Sequence, residues 1–244
     1  MADIYTNPEL YDAIHKNYNW DHSLISSIAK NTGGPVLELA AGTGRLAKLI
    51  LDHGFDYTGI DTSVEFLDVA IKKYGEKATF LQQDMCQFDL GKQFKFIFIG
   101  FNSFLHNLTD KDALNCLRSV CHHLSHDGVF LVSIFKPDPS FLYRKKGKLY
   151  PATSTFEYRG SRCRIMESNI FDEKNQINHL FWQLESDGML DEQKYEYKMR
   201  MFYPHKMDIL LYESGLKIAK KMGDYDETTM NEESGMQIYV CAKS

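Results

Sequence analysis

The sequence lacks most of the features that set special classes of protein apart. Its five cysteines, Cys86, Cys116, Cys121, Cys163 and Cys241, are scattered, odd in number and never spaced C-x-x-C. This argues against a disulfide scaffold or a zinc framework and points to reduced, buried thiols in a cytoplasmic protein. No apolar run approaches the roughly 20 residues of a membrane helix. The opening MADIYTNPELYD has acids and no apolar segment, so neither a signal peptide nor a membrane partner is expected. The densest basic stretch is Arg144-Lys145-Lys146-Gly147-Lys148, set against a formal net charge of −5. That balance gives no broad electrostatic footprint for nucleic acid. Internal repeats and low-complexity segments are absent too.

What is present is a chain of 244 residues, 43% hydrophobic and 25% charged. That suffices for one sizeable domain, or for one domain with a large insertion. Residues 8–30 carry helical periodicity, broken by Asn31-Thr32-Gly33-Gly34-Pro35. Short apolar strands are then expected at Val36–Leu39, Tyr57–Ile60, Thr79–Leu81, Phe94–Ile99 and Val129–Phe135. They alternate with helices at Arg45–Leu51, Val64–Tyr74 (capped by Ser63) and Asp110–Leu124. Strands that are apolar throughout and alternate with amphipathic helices make an α/β, doubly wound, mostly parallel sheet covered on both faces. After Phe135 the pattern changes to period two, around Cys163–Glu167, Asn178–Trp182 and Tyr195–Met199, with turns at Asp172–Asn175 and Asp187-Gly188. An antiparallel β insertion over 138–203 is expected, within an α/β domain formed by 1–137 and 204–244. A helix at Lys206–Ser214 and strands at Leu216–Met222 and Met236–Ala242 close the chain. The edge of the inserted meander is open to two outcomes: pairing with a second copy in a homodimer, or cover by a loop.

Ligands of open parallel sheets sit at the carboxyl ends of the strands. There the sequence reads VLELAAGTGRLA from Val36 to Ala47. Gly42 permits a sharp turn, Gly44 a close approach, and the amides of the following helix would face the ligand. Asp61 follows Gly42 by 19 residues, close to the spacing of an acid on ribose hydroxyls. The same residues satisfy G-x-G-x-x-A, so a nicotinamide dinucleotide is the first rival. Three features oppose it. Glu38 places a carboxylate where a pyrophosphate has no use for one, while a ligand with ammonium and sulfonium groups would gain. Asp84 adds an acceptor suited to an adenine amino group. No second glycine-rich phosphate turn occurs.

The succession Glu38-x-x-x-Gly42-x-Gly44, Asp61-Thr62-Ser63, Asp84-Met85 and Gly100-Phe101-Asn102-Ser103 resembles the motifs of class I S-adenosylmethionine-dependent methyltransferases. The likeness runs on through Arg200–Pro204, Leu210–Leu216 and Ile238–Lys243, and in style is nearest to the small-molecule branch that includes sugar N-methyltransferases. Phe66-Leu67 stands where many members have Met-Leu. The resemblance implies S-adenosylmethionine as cofactor, S-adenosylhomocysteine as product and no metal. It implies Ala40, Gly42 and Arg45 along the methionine, Asp61 on both ribose hydroxyls, Thr62 near the adenine, and Asp84 and Met85 at the adenine edge. Phe101 and Asn102 would lie near the ammonium or sulfonium, and Tyr11 and Tyr18 would come from an N-terminal helix folded over the cofactor.

Methyl transfer from sulfur is an in-line displacement in which positioning and exclusion of water supply much of the rate. A base matters when the acceptor carries a proton. His106, just after the fourth strand, is the first candidate; Tyr11 and His179 are the others. Asn178, Trp182, Tyr203, His205 and His106 are candidate acceptor contacts, with the insertion as a lid over a small-molecule substrate, an amine by resemblance. His15 and His22 stand seven apart without further ligands, so no metal constellation is expected. Other readings are a methyltransferase acting on nucleic acid or protein, and a module that only senses the cofactor. Gly100-Phe101-Asn102-Ser103 is not the N-P-P-Y of adenine-methylating DNA enzymes.

Overall fold

The structure, a computed structural model, describes residues 2–244. Its elements run β1 (Ala2–Asp3), α1 (Pro8–His15), α2 (His22–Thr32), β2 (Val36–Leu39), α3 (Ala47–Leu51), β3 (Tyr57–Asp61), α4 (Val64–Tyr74), β4 (Thr79–Gln82), β5 (Phe94–Ile99), α5 (Asp110–His123) and β6 (Leu124–Phe135). Then come α6 (Pro139–Leu142), β7 (Tyr150–Pro151), β8 (Phe156–Tyr158), β9 (Ser161–Asp172), β10 (Ile177–Ser186) and β11 (Met189–Arg200), followed by α7 (Pro204–Glu213), β12 (Leu216–Met222) and β13 (Met236–Lys243). The chain divides into two compact units. One comprises Asn19–Lys136 with Phe202–Ser244, the other the residues up to Tyr18 with Pro137–Met201.

The first unit holds a seven-stranded sheet in the order β12-β13-β6-β5-β2-β3-β4. β4, β3, β2, β5 and β6 pair in parallel, and β13 joins β6 antiparallel. The order reverses between β2 and β5, the place where open sheets leave a crevice at the carboxyl ends of their strands. Every residue of β2 is buried, as are all of β5 but Lys95. This is why those segments are apolar on both faces. β4 lies at the edge, and only Phe80 of it is buried. Ser63 caps α4, its hydroxyl accepting from the Phe66 amide at 3.3 Å.

The second unit is built on a six-stranded sheet ordered β1-β11-β10-β9-β7, with β8 also on β9. The strands are longer than the three period-two cores, because β9, β10 and β11 pair along nearly their whole length. β7 and β8 cover part of the outer edge of β9, and β1 pairs in parallel with β11 at Tyr195 and Glu196. Alternation divides the residues of this sheet. Cys163, Ile165, Glu167 and Asn169 of β9 and Asn178, Leu180 and Leu184 of β10 are buried on one side. Ile4, Leu10 and Ile14 from the N-terminal segment pack on Cys163, Ile165 and Leu184.

The N-terminal helix expected over 8–30 is two helices, α1 and α2, parted by a turn at Lys16–Asp21. They lie in different units. α1 is tied to the inserted strands by β1 and by its apolar face, whereas α2 packs on α3 and β5.

Candidate cofactor site

Ala40, Gly42 and Gly44 all have positive φ, at 56°, 56° and 72°, so the chain winds tightly as it leaves β2. The helix after the turn starts at Ala47, two residues later than expected. The turn amides are also used inside the turn: Gly44 donates to the Ala41 carbonyl at 2.9 Å and Ala47 to the Gly44 carbonyl at 3.3 Å. The amides of Gly42, Gly44 and Ala47 are thus engaged within the fold. The two glycines differ in what surrounds them. Gly42 presents its amide to Asp61 Oδ2 at 2.8 Å. A Cβ at Gly44 would stand 2.8 Å from the Tyr74 ring and 3.1 Å from Phe80, so tight packing from within the unit requires that residue.

Asp61, at the end of β3, bridges two turns. Besides Gly42 it accepts the Ser63 amide on Oδ1 at 2.9 Å. Burial pushes its carboxyl up, while those amides and that of Thr62 draw it down. Glu38 on β2 is only 5% exposed and accepts the Tyr57 hydroxyl at 2.5 Å. Burial raises Glu38 to about 8; the Tyr57 hydrogen bond and the Arg45 charge oppose this, and Asp21 and Asp61 add to it. Arg45 donates to both oxygens of Asp21, from Nη1 at 3.0 Å and from Nη2 at 2.5 Å, and its guanidinium stands 5.1 Å from the Phe101 ring centroid.

These groups define the charge of the site. The carboxyl groups of Asp21 and Asp61 and the guanidinium of Arg45 all act on Glu38, so three carboxyl groups gather with one cation. S-adenosylmethionine carries a sulfonium, an ammonium and a carboxylate, a net charge of +1, which suits an acidic site. A pyrophosphate would meet repulsion, and the Gly42 amide that would cradle it is engaged by Asp61.

Thr62 and Asp84 lie exposed at the ends of β3 and β4. Thr62 accepts from Gln82 Nε2 through its carbonyl, and Asp84 Oδ1 accepts the Cys86 amide at 2.8 Å. Met85 receives a contact from Asn107 Nδ2 at 3.8 Å. Phe101 and Asn102 both adopt left-handed backbone, with φ of 53° and 67°. Asn102 Oδ1 accepts the Phe135 amide at 2.7 Å, so this side chain locks the end of β5 to the end of β6. His106 closes the single turn Ser103–His106 beyond β5 and is half-buried. Tyr203 and His205 are exposed at the start of α7.

The remaining expected residues lie in the other unit. The Tyr11 ring is 4.0 Å from His15, and Tyr18 meets His15 edge-on at 5.2 Å. Asn178 and Trp182 share the packed side of β10. His179 is on the opposite side, paired with Glu196 at 2.8 Å. The structure thus separates His179 from the two residues expected to act with it.

Sequence reasoning missed Asp21, Tyr57 and Tyr225. Tyr225, from the β12–β13 connection, donates to Ser133 Oγ on β6 at 3.0 Å and senses the charges of Asp21 and Arg45. Tyr57 was legible in part, since its strand neighbours β2, but nothing in the spacing of Asp21 or Tyr225 places them beside the glycine turn. Asp89, His122 and His123 form a group that could hold a metal among the described residues. Both nitrogens of His123 are engaged, one with the Ser119 carbonyl at 2.8 Å and the other with the Leu90 amide at 3.0 Å, so it offers no free ligand.

Comparison with known proteins decides the class. Residues 36–128 match the family model described as a methyltransferase domain. The chain is an S-adenosylmethionine-dependent methyltransferase. The methyltransferase is similar to a putative methyltransferase, YqeM, of Bacillus subtilis (strain 168), 25% identical over 245 residues and covering 96% of this chain and 95% of the relative. It is also similar to a glycine/sarcosine N-methyltransferase of Aphanothece halophytica, 25% identical, covering 90% and 80% of the two chains. Its fold is that of CalS10, an amino pentose methyltransferase from Micromonospora echinaspora whose structure was solved with S-adenosylmethionine bound. That match has a TM-score of 0.73 and 16% identity and covers 96% of this chain and 97% of the other. Among the described residues, no helix of the methyltransferase is long and apolar enough to cross a membrane.

Proposed function

We propose that this methyltransferase acts in the cytoplasm on the amine of a small molecule. The observation that carries the cofactor half is the carboxyl cluster at β2 and β3, where the charges of Asp21, Asp61 and Arg45 all act on buried Glu38. Support for the acceptor half comes from the relatives, one a glycine/sarcosine N-methyltransferase and another an amino pentose methyltransferase. The inserted sheet adds an aromatic, polar face: Trp182 donates to the buried carboxylate of Glu167, and Tyr197 lies within reach of its charge.

S-adenosylmethionine supplies a methyl group already activated on sulfur. With the cofactor bound, the acceptor nitrogen would take that methyl group as the carbon–sulfur bond breaks in line, and would give up one proton. Asp61, held by the Gly42 and Ser63 amides, fixes the ribose. Glu38, ionised, faces the positive charges. His106 takes the proton. A group in that role contributes roughly 100- to 10,000-fold.

The test is transfer of radiolabelled methyl from S-adenosylmethionine to three acceptor classes: small primary amines, tRNA with duplex DNA, and unfolded protein. Label in amines alone is the expected result. Label in nucleic acid or protein alone overturns the acceptor reading. His106→Ala should lower kcat about 100-fold or more while the affinity for S-adenosylhomocysteine is unchanged. Unchanged kcat removes His106 as the base.

A further inference from the structure

Asn169 on β9 and Asn178 on β10 sit diagonally on the packed side of the inserted sheet, Asn169 opposite Leu180 and Asn178 opposite Phe171. They are 4% and 0% exposed. Asn169 Nδ2 donates to the Leu142 carbonyl at 3.0 Å and to Asn178 Oδ1 at 2.9 Å. Both of its amide hydrogens are used. Asn169 Oδ1 and Asn178 Nδ2 are buried and have no hydrogen-bond partner among the described residues.

Turning either amide over does not repair this. Turned, Asn169 would set its oxygen against the Leu142 carbonyl. Turned, Asn178 would set its NH2 against that of Asn169. Buried amide groups are nearly always paired, so adjacent unpaired atoms in a sheet core point to a missing group. One acceptor beside one donor is the complement of a hydroxyl, which both donates and accepts.

The charge nearby narrows the ligand. Two residues before Asn169, Glu167 accepts from Trp182 Nε1 at 2.7 Å and from Arg144 Nη1 at 3.0 Å. The Arg144 guanidinium also lies over the rings of Phe141 and Tyr150, at 4.7 and 4.8 Å from their centroids. Arg144 is thus committed to Glu167 and two aromatic faces, and is not offered to a ligand carboxylate.

We propose that Asn169 and Asn178 form a hydroxyl-binding subsite of the inserted sheet, selecting an amine with a neighbouring hydroxyl over a bare alkylamine or an amino acid. This rests on the amine reading above. A site built around a hydroxyl discriminates strongly against an analogue without it, because its buried donor and acceptor are then left unpaired.

The test uses the full chain, 15N-labelled and saturated with S-adenosylhomocysteine, and follows the side-chain amide signals of Asn169 and Asn178. Three amines are added in turn: 3-amino-3,6-dideoxyglucose, cyclohexylamine and glycine. The amino sugar should shift both signals saturably and bind at least about tenfold tighter than the other two, one hydrogen bond's worth of affinity. Asn178→Asp retains the oxygen that Asn169 donates to and replaces the unpaired donor, so the preference should vanish. Equal binding of the three amines, a preference that survives in Asn178→Asp, or no shift with any of them overturns the subsite. Methyl transfer measured on the same amines keeps the two readings apart. Methylation with an unshifted asparagine pair removes the subsite alone, and a shifted pair without methylation removes the amine reading alone.

Discussion

Arg45 reaches Asp21 through two hydrogen bonds, although the two residues stand 24 positions apart and on opposite sides of β2 in sequence. Asp21 is 1% exposed on its side chain, Arg45 22%. The pair is unequal in its dependence on the partner. Arg45→Met leaves a buried carboxylate without a cation and should cost about 3–5 kcal/mol. Asp21→Asn leaves a guanidinium that water can reach and should cost about 1–2 kcal/mol. Urea unfolding of both variants checks this, and equal losses would show that the pair is not buried as described.

Glu38 predicts a pH dependence of two kinds. Its carboxyl is raised from 4.5 to about 8 in the folded chain. Between those values the folded state holds a proton that the unfolded state has lost. The stability due to that proton is full below 4.5 and is lost as pH rises through about 8. Cofactor binding runs the other way, since a cationic ligand favours ionised Glu38. Affinity for S-adenosylmethionine should therefore rise from pH 6 to pH 8, by at most about tenfold per pH unit for one proton, with release of a proton to buffer. Calorimetry in two buffers of different ionisation enthalpy reads both, and Glu38→Gln should flatten the profile.

Gly42 and Gly44 share a left-handed backbone but differ in what surrounds them. Gly42→Ala bears the conformational cost alone, about 1 kcal/mol. Gly44→Ala adds a clash with Tyr74 and Phe80, for a total of about 2–4 kcal/mol. Thermal unfolding should rank them in that order; the reverse order would contradict the packing at Gly44.

Asp61→Asn should weaken S-adenosylhomocysteine by roughly 10- to 100-fold, the worth of charge-assisted hydrogen bonds lost on one side of the carboxylate. The amide can still accept from one of the two backbone donors, Gly42 or Ser63, so circular dichroism should show an intact fold. Unchanged affinity would remove Asp61 from the site.

The α/β architecture was legible because it is written in local signals. β2, β3 and β5 are apolar runs of the right length, and Gly42, Ser63 and Asp61 mark where they end. Period two also marked β9, β10 and β11, though not their full length, since Met189–Lys194 is exposed and has little apolar pattern. What escaped was long-range. Asp21, Tyr57 and Tyr225 converge on Glu38 and Arg45 from segments far apart in the chain, and polar side chains that meet across a fold leave no periodicity behind. Asn178, His179 and Trp182 stand close in sequence, but alternation along β10 sends His179 to the other face. Glu167 and Asn169 are polar residues of β9 that only their burial sets apart.

The parallel contact of β1 with β11 bears on how the chain acquires its shape. Asn7 and Tyr195, 188 positions apart, are joined by a hydrogen bond at 3.2 Å next to that contact. During synthesis, residues 2–14 emerge first and must wait for strands made much later, while β2 to β6 can begin to assemble from nearer neighbours. Sheets closed by such distant contacts form slowly. The inserted unit is thus closed only once β11 has been made, and Ile4, Leu10 and Ile14 are the apolar residues left exposed in the interval.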